Sequence, residues 1–281
     1  YSNNIIIDDF ELSKDDLNIL LGLIKKELFN LCDLKYEKEK LVHHKKFTKA
    51  LLGRPLNLRR ANIFTTNYDL AFEDTFDDLG VHYINGFCGF NNRYFKPEVY
   101  DFDMYYPGNT TEGKVRRVEK VLRYYKLHGS LTWVREKQEA NNIYGLKEFP
   151  ISVIRNNIES ANPENSTGDL IIYPTSYKKG YTLDFPYSEL FRQFAVTIRQ
   201  QQTVLFCIGY SFFDEHINDI IFQALSIPSF SLIIIAKDGN NKELKKLIEL
   251  NVPRIMIFTG DYLGDFKYFS DDLMPNFHDL D

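Results

Sequence analysis

Apolar positions along the chain first recur at helical spacing and then gather into short runs. Between residues 12 and 52, Leu17, Ile19, Leu20, Leu23, Ile24, Leu28 and Leu31 repeat with Lys and Glu between them, which predicts a helical opening section. After Arg60 the pattern changes. Short apolar runs at residues 61–66, 81–85, 170–173, 203–209 and 231–236, with a sixth at 254–258, read as strands. Helical stretches at 69–79, 187–202, 214–225 and 242–251 separate them, the last followed two residues on by Pro253, which cannot continue a helix. Strand and helix in alternation predict βα units and a doubly wound, parallel α/β sheet.

Two stretches break the alternation. Residues 86–117 are crowded with Phe, Tyr, Asn and Gly, and residues 134–169 are rich in Asn, Glu and Ser. Loops of this length inside a compact domain are usually lids or inserted lobes, so a small, mainly helical and aromatic lobe is expected there. Phe87, Phe90, Tyr94, Phe95, Tyr100, Phe102, Tyr105 and Tyr106 form either the core of that lobe or a lid over a ligand. The expected organisation is a helical section over 1–60 and a main domain over 61–281 with insertions near 86–117 and 134–169.

Composition narrows the class. With 281 residues, 44% of them hydrophobic, and 34 basic against 39 acidic residues, the chain can bury enough surface to fold and is no polyelectrolyte. The basic stretch around Lys35, Lys38, His43, His44, Lys45, Lys46 and Lys49 is interrupted by Glu37 and Glu39 and is poor in aromatics, so it reads as a solvated helix face, and no direct nucleic-acid binding is expected. No run approaches the roughly 20 apolar residues that span a bilayer. Tyr1-Ser2-Asn3-Asn4 has no signal-peptide character, and Cys32, Cys88 and Cys207 are isolated, which fits a reducing, cytoplasmic setting.

Open parallel sheets bind ligands beyond the carboxyl ends of their strands. The run Ile63-Phe64-Thr65-Thr66 ends in Asn67-Tyr68-Asp69, Tyr124-Tyr125-Lys126-Leu127 ends in His128-Gly129-Ser130, and Val204-Leu205-Phe206-Cys207-Ile208, read as the most deeply buried strand, ends in Gly209-Tyr210-Ser211. Taken alone, Asn67 reads as a turn or capping residue and His128 as a core histidine bonded to backbone. The Gly209 segment reads as a strand-to-helix turn or as a phosphate seat at a helix N-terminus.

Together, Thr66-Asn67-Tyr68-Asp69, Leu127-His128-Gly129-Ser130 and Gly209-Tyr210-Ser211-Phe212-Phe213-Asp214, in this order, resemble the sirtuin-like NAD-binding family, and within it the divergent bacterial NAD+ hydrolases of anti-phage defence. The resemblance spans about residues 61–266 and implies a Rossmann-like fold with NAD+ as substrate. It implies that Asn67 holds the nicotinamide ribose and the attacking water, and that His128 contacts the ribose hydroxyls as general base. It further implies that Gly209, Tyr210 and Ser211 receive the phosphates, that Thr66 and Asp69 line or brace the pocket, that Gly260 and Asp261 form the adenine-side loop, and that Asp69 and Asp214 cap helices. Self-assembly and a HerA-type ATPase partner are implied as well.

The chain departs from the family in three respects. Isolated cysteines cannot supply the two thiol pairs of the zinc ribbon in deacetylating sirtuins, so no metal is expected. Tyr68 stands where classical sirtuins carry an aliphatic residue. No glycine precedes Gly22, so the family's glycine-rich phosphate loop is either carried by residues ahead of Tyr1, as the missing initiator Met suggests, or lacking. The leading expectation is an NAD+ glycohydrolase that depletes NAD+ in abortive infection. An NAD-dependent deacylase or ADP-ribosyltransferase and an NAD+ or ADP-ribose sensor without turnover are the alternatives.

Overall fold

The computed structural model describes residues 5–7, 10–34, 38–107, 116–159 and 185–275. Strands β1 (Ile5–Ile7) and β2 (Phe10–Leu12) form an antiparallel hairpin ahead of helix α1 (Lys14–Cys32). Ser13 opens α1 with a reciprocal cap: its hydroxyl accepts from the Asp16 amide while the Asp16 carboxylate accepts from the Ser13 amide. The predicted opening helix forms, and α2 (Val42–Leu52) follows it. Most apolar positions of α1 nevertheless lie on the surface, among them Ile19, Leu23 and Leu31, while Phe29 is buried.

Among the described residues, the parallel strands fall into two sheets. In the first, β3 (Asn62–Thr65) and β4 (His82–Ile84) flank β9 (Val121–Lys126) in parallel, and α3 (Ala71–Leu79) connects β3 to β4. Strand β9 is buried along almost its whole length, as expected of a parallel strand covered on both faces. Ile63, Leu122 and Tyr124 pack with Phe76 of α3 and with Phe47 and Leu51 of α2 on one side. On the other, Phe64 stacks on Tyr125, which stacks on Tyr100, with ring centroids 4.3 and 4.1 Å apart.

The second sheet has the parallel order β12 (Val204–Ile208), β13 (Ser231–Ala236) and β14 (Ile255–Thr259). Helices α5 (Tyr187–Ile198), α6 (Glu215–Ala224) and α7 (Lys242–Glu249) alternate with its strands, each slightly shorter than the sequence predicts. Strand β12 differs from its expected deep burial. Cys207 is buried, but Val204 and Phe206 are about half exposed at 51% and 52%. A continuous apolar run predicts burial on both faces, whereas among the described residues β12 is buried chiefly on the face that carries Leu205 and Cys207. The predicted run at 170–173 lies outside the described residues.

In its described residues the inserted lobe is built on a sheet, not the mainly helical unit expected. Strands β5 (Phe87–Cys88), β6 (Arg93–Phe95), β10 (Trp133–Arg135) and β11 (Leu146–Glu148) pair antiparallel in the order β10-β11-β6-β5, so the two sequence insertions build one element. Strands β7 (Tyr105–Tyr106) and β8 (Arg116–Arg117) form a further antiparallel pair, and α4 (Ile151–Glu159) follows β11. Phe87, Phe95 and Tyr100 are buried, with Phe87 and Phe95 packed around Trp133, whereas Phe90, Phe102, Tyr105 and Tyr106 are exposed. For the buried three, the core reading of the aromatic segment holds. The lobe's core is continuous with Leu127, with Phe191 and Phe194 of α5, and with Cys207 and Leu232 of the second sheet.

Candidate active site

The segment that carries Asn67 leaves the carboxyl end of β3 and is tied to the end of β9 next to it. Thr65 pairs with Lys126 in the parallel ladder, and the Leu127 amide donates to the Thr65 carbonyl at 2.8 Å. Beyond the ladder, the Asn67 amide donates to the Thr65 hydroxyl at 3.1 Å, and the Leu131 amide to the Tyr68 carbonyl at 3.1 Å. Asn67 itself is exposed. Asp69 stands one residue ahead of Leu70, the N-cap of α3, rather than at the expected capping position, and its carboxylate accepts from the Ala71 amide at 3.0 Å where the helix begins.

Lys126 is the residue that the sequence reading missed. Its buried ammonium donates to the carbonyls of Tyr68 and Asp69 and pairs with the Glu73 carboxylate at 2.9 Å. The Tyr124 hydroxyl donates to the other Glu73 oxygen at 3.1 Å. Burial pushes the Glu73 carboxyl above its usual range, opposed by the charge and hydrogen bond of Lys126. One ammonium thus anchors both the loop around Asn67 and the first turn of α3. The available signal was a lysine closing a strand that is apolar except at Arg123.

Behind this loop, Phe29 and Cys32 at the end of α1 pack with Tyr68, Leu131, Ile154 and Ile158, and Arg155 of α4 holds Asp33 through two bonds of 2.6 and 2.8 Å. Burial raises the Cys32 thiol, helped by the nearby Asp69 charge and opposed by Lys126. His128 is buried two residues past β9, and Gly129 follows it with a φ of 97°.

At the carboxyl end of β12, Gly209 turns the chain with a φ of 64°, a conformation unfavourable for residues with a Cβ, although open space surrounds the place a Cβ would take. The turn is then latched from within. The Tyr210 hydroxyl donates to the Asn218 side-chain oxygen at 3.0 Å, the Asn218 amide donates to the Phe212 carbonyl at 2.8 Å, and Asn241 donates to the Ser211 carbonyl at 2.6 Å. Gly209 and Ser211 stay exposed. Asp214 stands at the N-cap of α6 but makes no side-chain cap hydrogen bond, which corrects its expected capping role. Its carboxylate instead joins His128 and His216, the three offering ligand atoms within 4.8 Å of one another.

Gly260 and Asp261 open a turn at the end of β14, two strands from Gly209. The Gly260 amide donates to the Ala236 carbonyl, and Gly264, which closes the turn, lies so near Lys237 that a Cβ there would approach its backbone to 2.5 Å. The structure therefore places Thr66, Asn67, Asp69 and His128 at the carboxyl ends of the first sheet, and Gly209, Tyr210, Ser211, Gly260 and Asp261 at those of the second. The contact of His128 with Asp214 and His216 brings the two ends together. A cleft of about 450 Å³ lies elsewhere, around Arg59, Asn62, Arg123 and Gln193 near the start of β3. Of its four arginines, Arg59 and Arg123 are occupied by bonds to Gln200 and to backbone carbonyls, and Arg60 and Arg117 pair with Asp103.

No curated protein matches the chain. Residues 61–252, more than half of its length, match the SIR2-like domain, a family whose members use NAD+ as substrate. With its mixed α/β, Rossmann-like architecture and parallel sheets, the chain belongs to the SIR2-like domain family.

Proposed function

We infer that the protein is an NAD+ glycohydrolase that cleaves NAD+ to nicotinamide and ADP-ribose. The observation that carries this reading is the meeting of the two sheets' carboxyl ends, where buried His128 lies against the start of α6 and the Asn67 loop is fixed to the same strand end by Lys126. An open α/β sheet binds its ligand at such a crevice. Exposed Asn67 offers an amide to position the ribose and a water, and the Gly209–Ser211 turn at the N-terminus of α6 offers a seat for phosphate oxygens.

The chemistry suits so small a set of groups. The nicotinamide leaves a cationic pyridinium as a neutral molecule, so its departure needs no acid. The C1′–N bond breaks, a water oxygen bonds to C1′, and the water's proton passes to His128, by analogy with glycoside hydrolysis. A positioned base contributes about 10²–10⁴-fold. The same reading carries cytoplasmic NAD+ depletion in anti-phage defence, self-assembly and a HerA-type ATPase partner, all of which rest on the family resemblance.

The test is a time course of nicotinamide and ADP-ribose release by the full-length protein beside Asn67→Ala and His128→Ala. Each variant is expected to stay folded by circular dichroism and to lose about 10²-fold or more in turnover. Binding of NAD+ without release by the wild type would favour a sensor instead, and full activity in either variant would remove that residue from the mechanism.

A further inference from the structure

His128, Asp214 and His216 form a ligand set of a kind that the proposed hydrolysis does not need. Two imidazoles and a carboxylate lie within 4.8 Å of one another, His128 and Asp214 buried and His216 partly so. A tetrahedral ion with bonds of about 2.0–2.2 Å separates its ligand atoms by about 3.4 Å. Small side-chain rotations of the order of an ångström close the set.

Three further features suit ligation. At the N-caps of α1 and α7, Ser13 and Asn241 use their side chains to accept helix amides, but Asp214 at α6 does not, and its carboxylate is turned to the histidines. Phe191 meets the His216 ring edge-on at 4.5 Å and the His128 ring at 6.4 Å, so one aromatic side chain steers both imidazoles. The Asp214 backbone is held by the Tyr210 hydroxyl at 3.2 Å. Two nitrogens and one oxygen suit a borderline divalent ion such as Zn2+ or Co2+ and leave a coordination position open, whereas Mg2+ prefers oxygen ligands.

We propose that His128, Asp214 and His216 bind a divalent transition-metal ion, and that the ion silences the enzyme by taking the lone pair of His128. The silencing half rests on His128 being the base; the binding half does not. A ligated imidazole nitrogen has no lone pair with which to accept the water's proton, so occupancy and turnover exclude each other.

The experiment titrates the chelator-treated full-length protein with Co2+ and follows visible absorption, with Mg2+ as control and Zn2+ as competitor. One equivalent of Co2+ is expected to develop ligand-field bands that Zn2+ abolishes and Mg2+ leaves unchanged. His216→Ala and the milder His216→Gln are expected to lose the bands while keeping the wild-type circular dichroism. In parallel, stoichiometric Zn2+ is expected to lower NAD+ turnover at least about tenfold, reversibly with chelator, in the wild type and not in the His216 variants. Absence of bands in the wild type, or bands retained in both folded His216 variants, overturns the metal site. Bands with turnover indifferent to Zn2+ keep the metal site and overturn its silencing role. Should the wild type lack turnover with and without chelator, the hydrolase reading fails while the spectrum still decides the binding.

Discussion

A single buried ammonium at the end of β9 fixes the loop that carries Asn67. Lys126 lies between the Tyr68 and Asp69 carbonyls and the Glu73 carboxylate, so its removal strands a buried carboxylate and frees two carbonyls. Breaking a buried pair by deleting one partner costs about 3–5 kcal/mol. Lys126→Met is expected to lose that much in urea unfolding and to weaken NAD+ turnover, while Lys126→Met combined with Glu73→Gln recovers part of the stability. Because burial already raises the Glu73 carboxyl, and loss of Lys126 raises it further, the single variant is expected to be penalised less near pH 5 than near pH 8, roughly. An equal penalty at both would mean that Glu73 is solvated rather than stranded. Sequence spacing could not show this pair, since the partners are 53 positions apart and meet only through the β3–β9 ladder. Asn67 and His128, by contrast, stood out because each immediately follows a readable strand.

At the scale of elements, legibility tracked the continuity of the apolar run rather than strand length. Strands β3 and β13 were read whole and the three-residue β4 within the run 81–85, β9, interrupted by Arg123, was read only over 124–127, and β5, β6, β10 and β11 were not read, so the lobe they build passed for a helical one. The basic stretch of α2 was legible only in part. Lys45 and Lys46 pair with Asp78 and Asp271 at 2.8 Å, but His44 turns inward between Phe72 and Phe266, with centroids at 5.0 and 4.8 Å. Burial lowers the His44 imidazole below its ordinary 6.5, opposed by the Asp69 charge and aided by His43. The folded state therefore keeps His44 neutral where the unfolded chain takes up a proton. That stability is fully present above the ordinary value and is lost as pH falls through the lower folded one. Between about pH 7.5 and 5.5, the melting temperature of His44→Leu is expected to fall less steeply than that of the wild type. Parallel slopes would show that His44 titrates alike in both states.

For the whole molecule, the parallel α/β class was legible, but the grouping of the described parallel strands into two three-stranded sheets was not, because periodicity reports which faces are apolar and not which strands become neighbours. The two sheets share one core, and Cys207 sits in it on β12, immediately before the turn expected to receive phosphates. Burial pushes its thiol up to about 12. Cys88 is exposed on the lobe, and Cys32 is half-buried at the end of α1. A thiolate-directed reagent should therefore label Cys88 at once, while Cys207 reacts only when the second sheet opens. Where opening and closing are fast relative to labelling, the rate follows the population of the open form. A ligand that binds the closed form lowers that population by the factor 1 + [L]/Kd, about 100-fold at 100 times Kd. NAD+ or ADP-ribose seated on the Gly209 turn is thus expected to slow Cys207 labelling by about that factor while leaving Cys88 unaffected, and His128→Ala should be protected even though it does not turn over. Protection in the inactive variant separates binding from chemistry in a single assay. Unchanged Cys207 labelling at saturating ligand would place the nucleotide away from β12, and with it the phosphate role of Gly209, Tyr210 and Ser211.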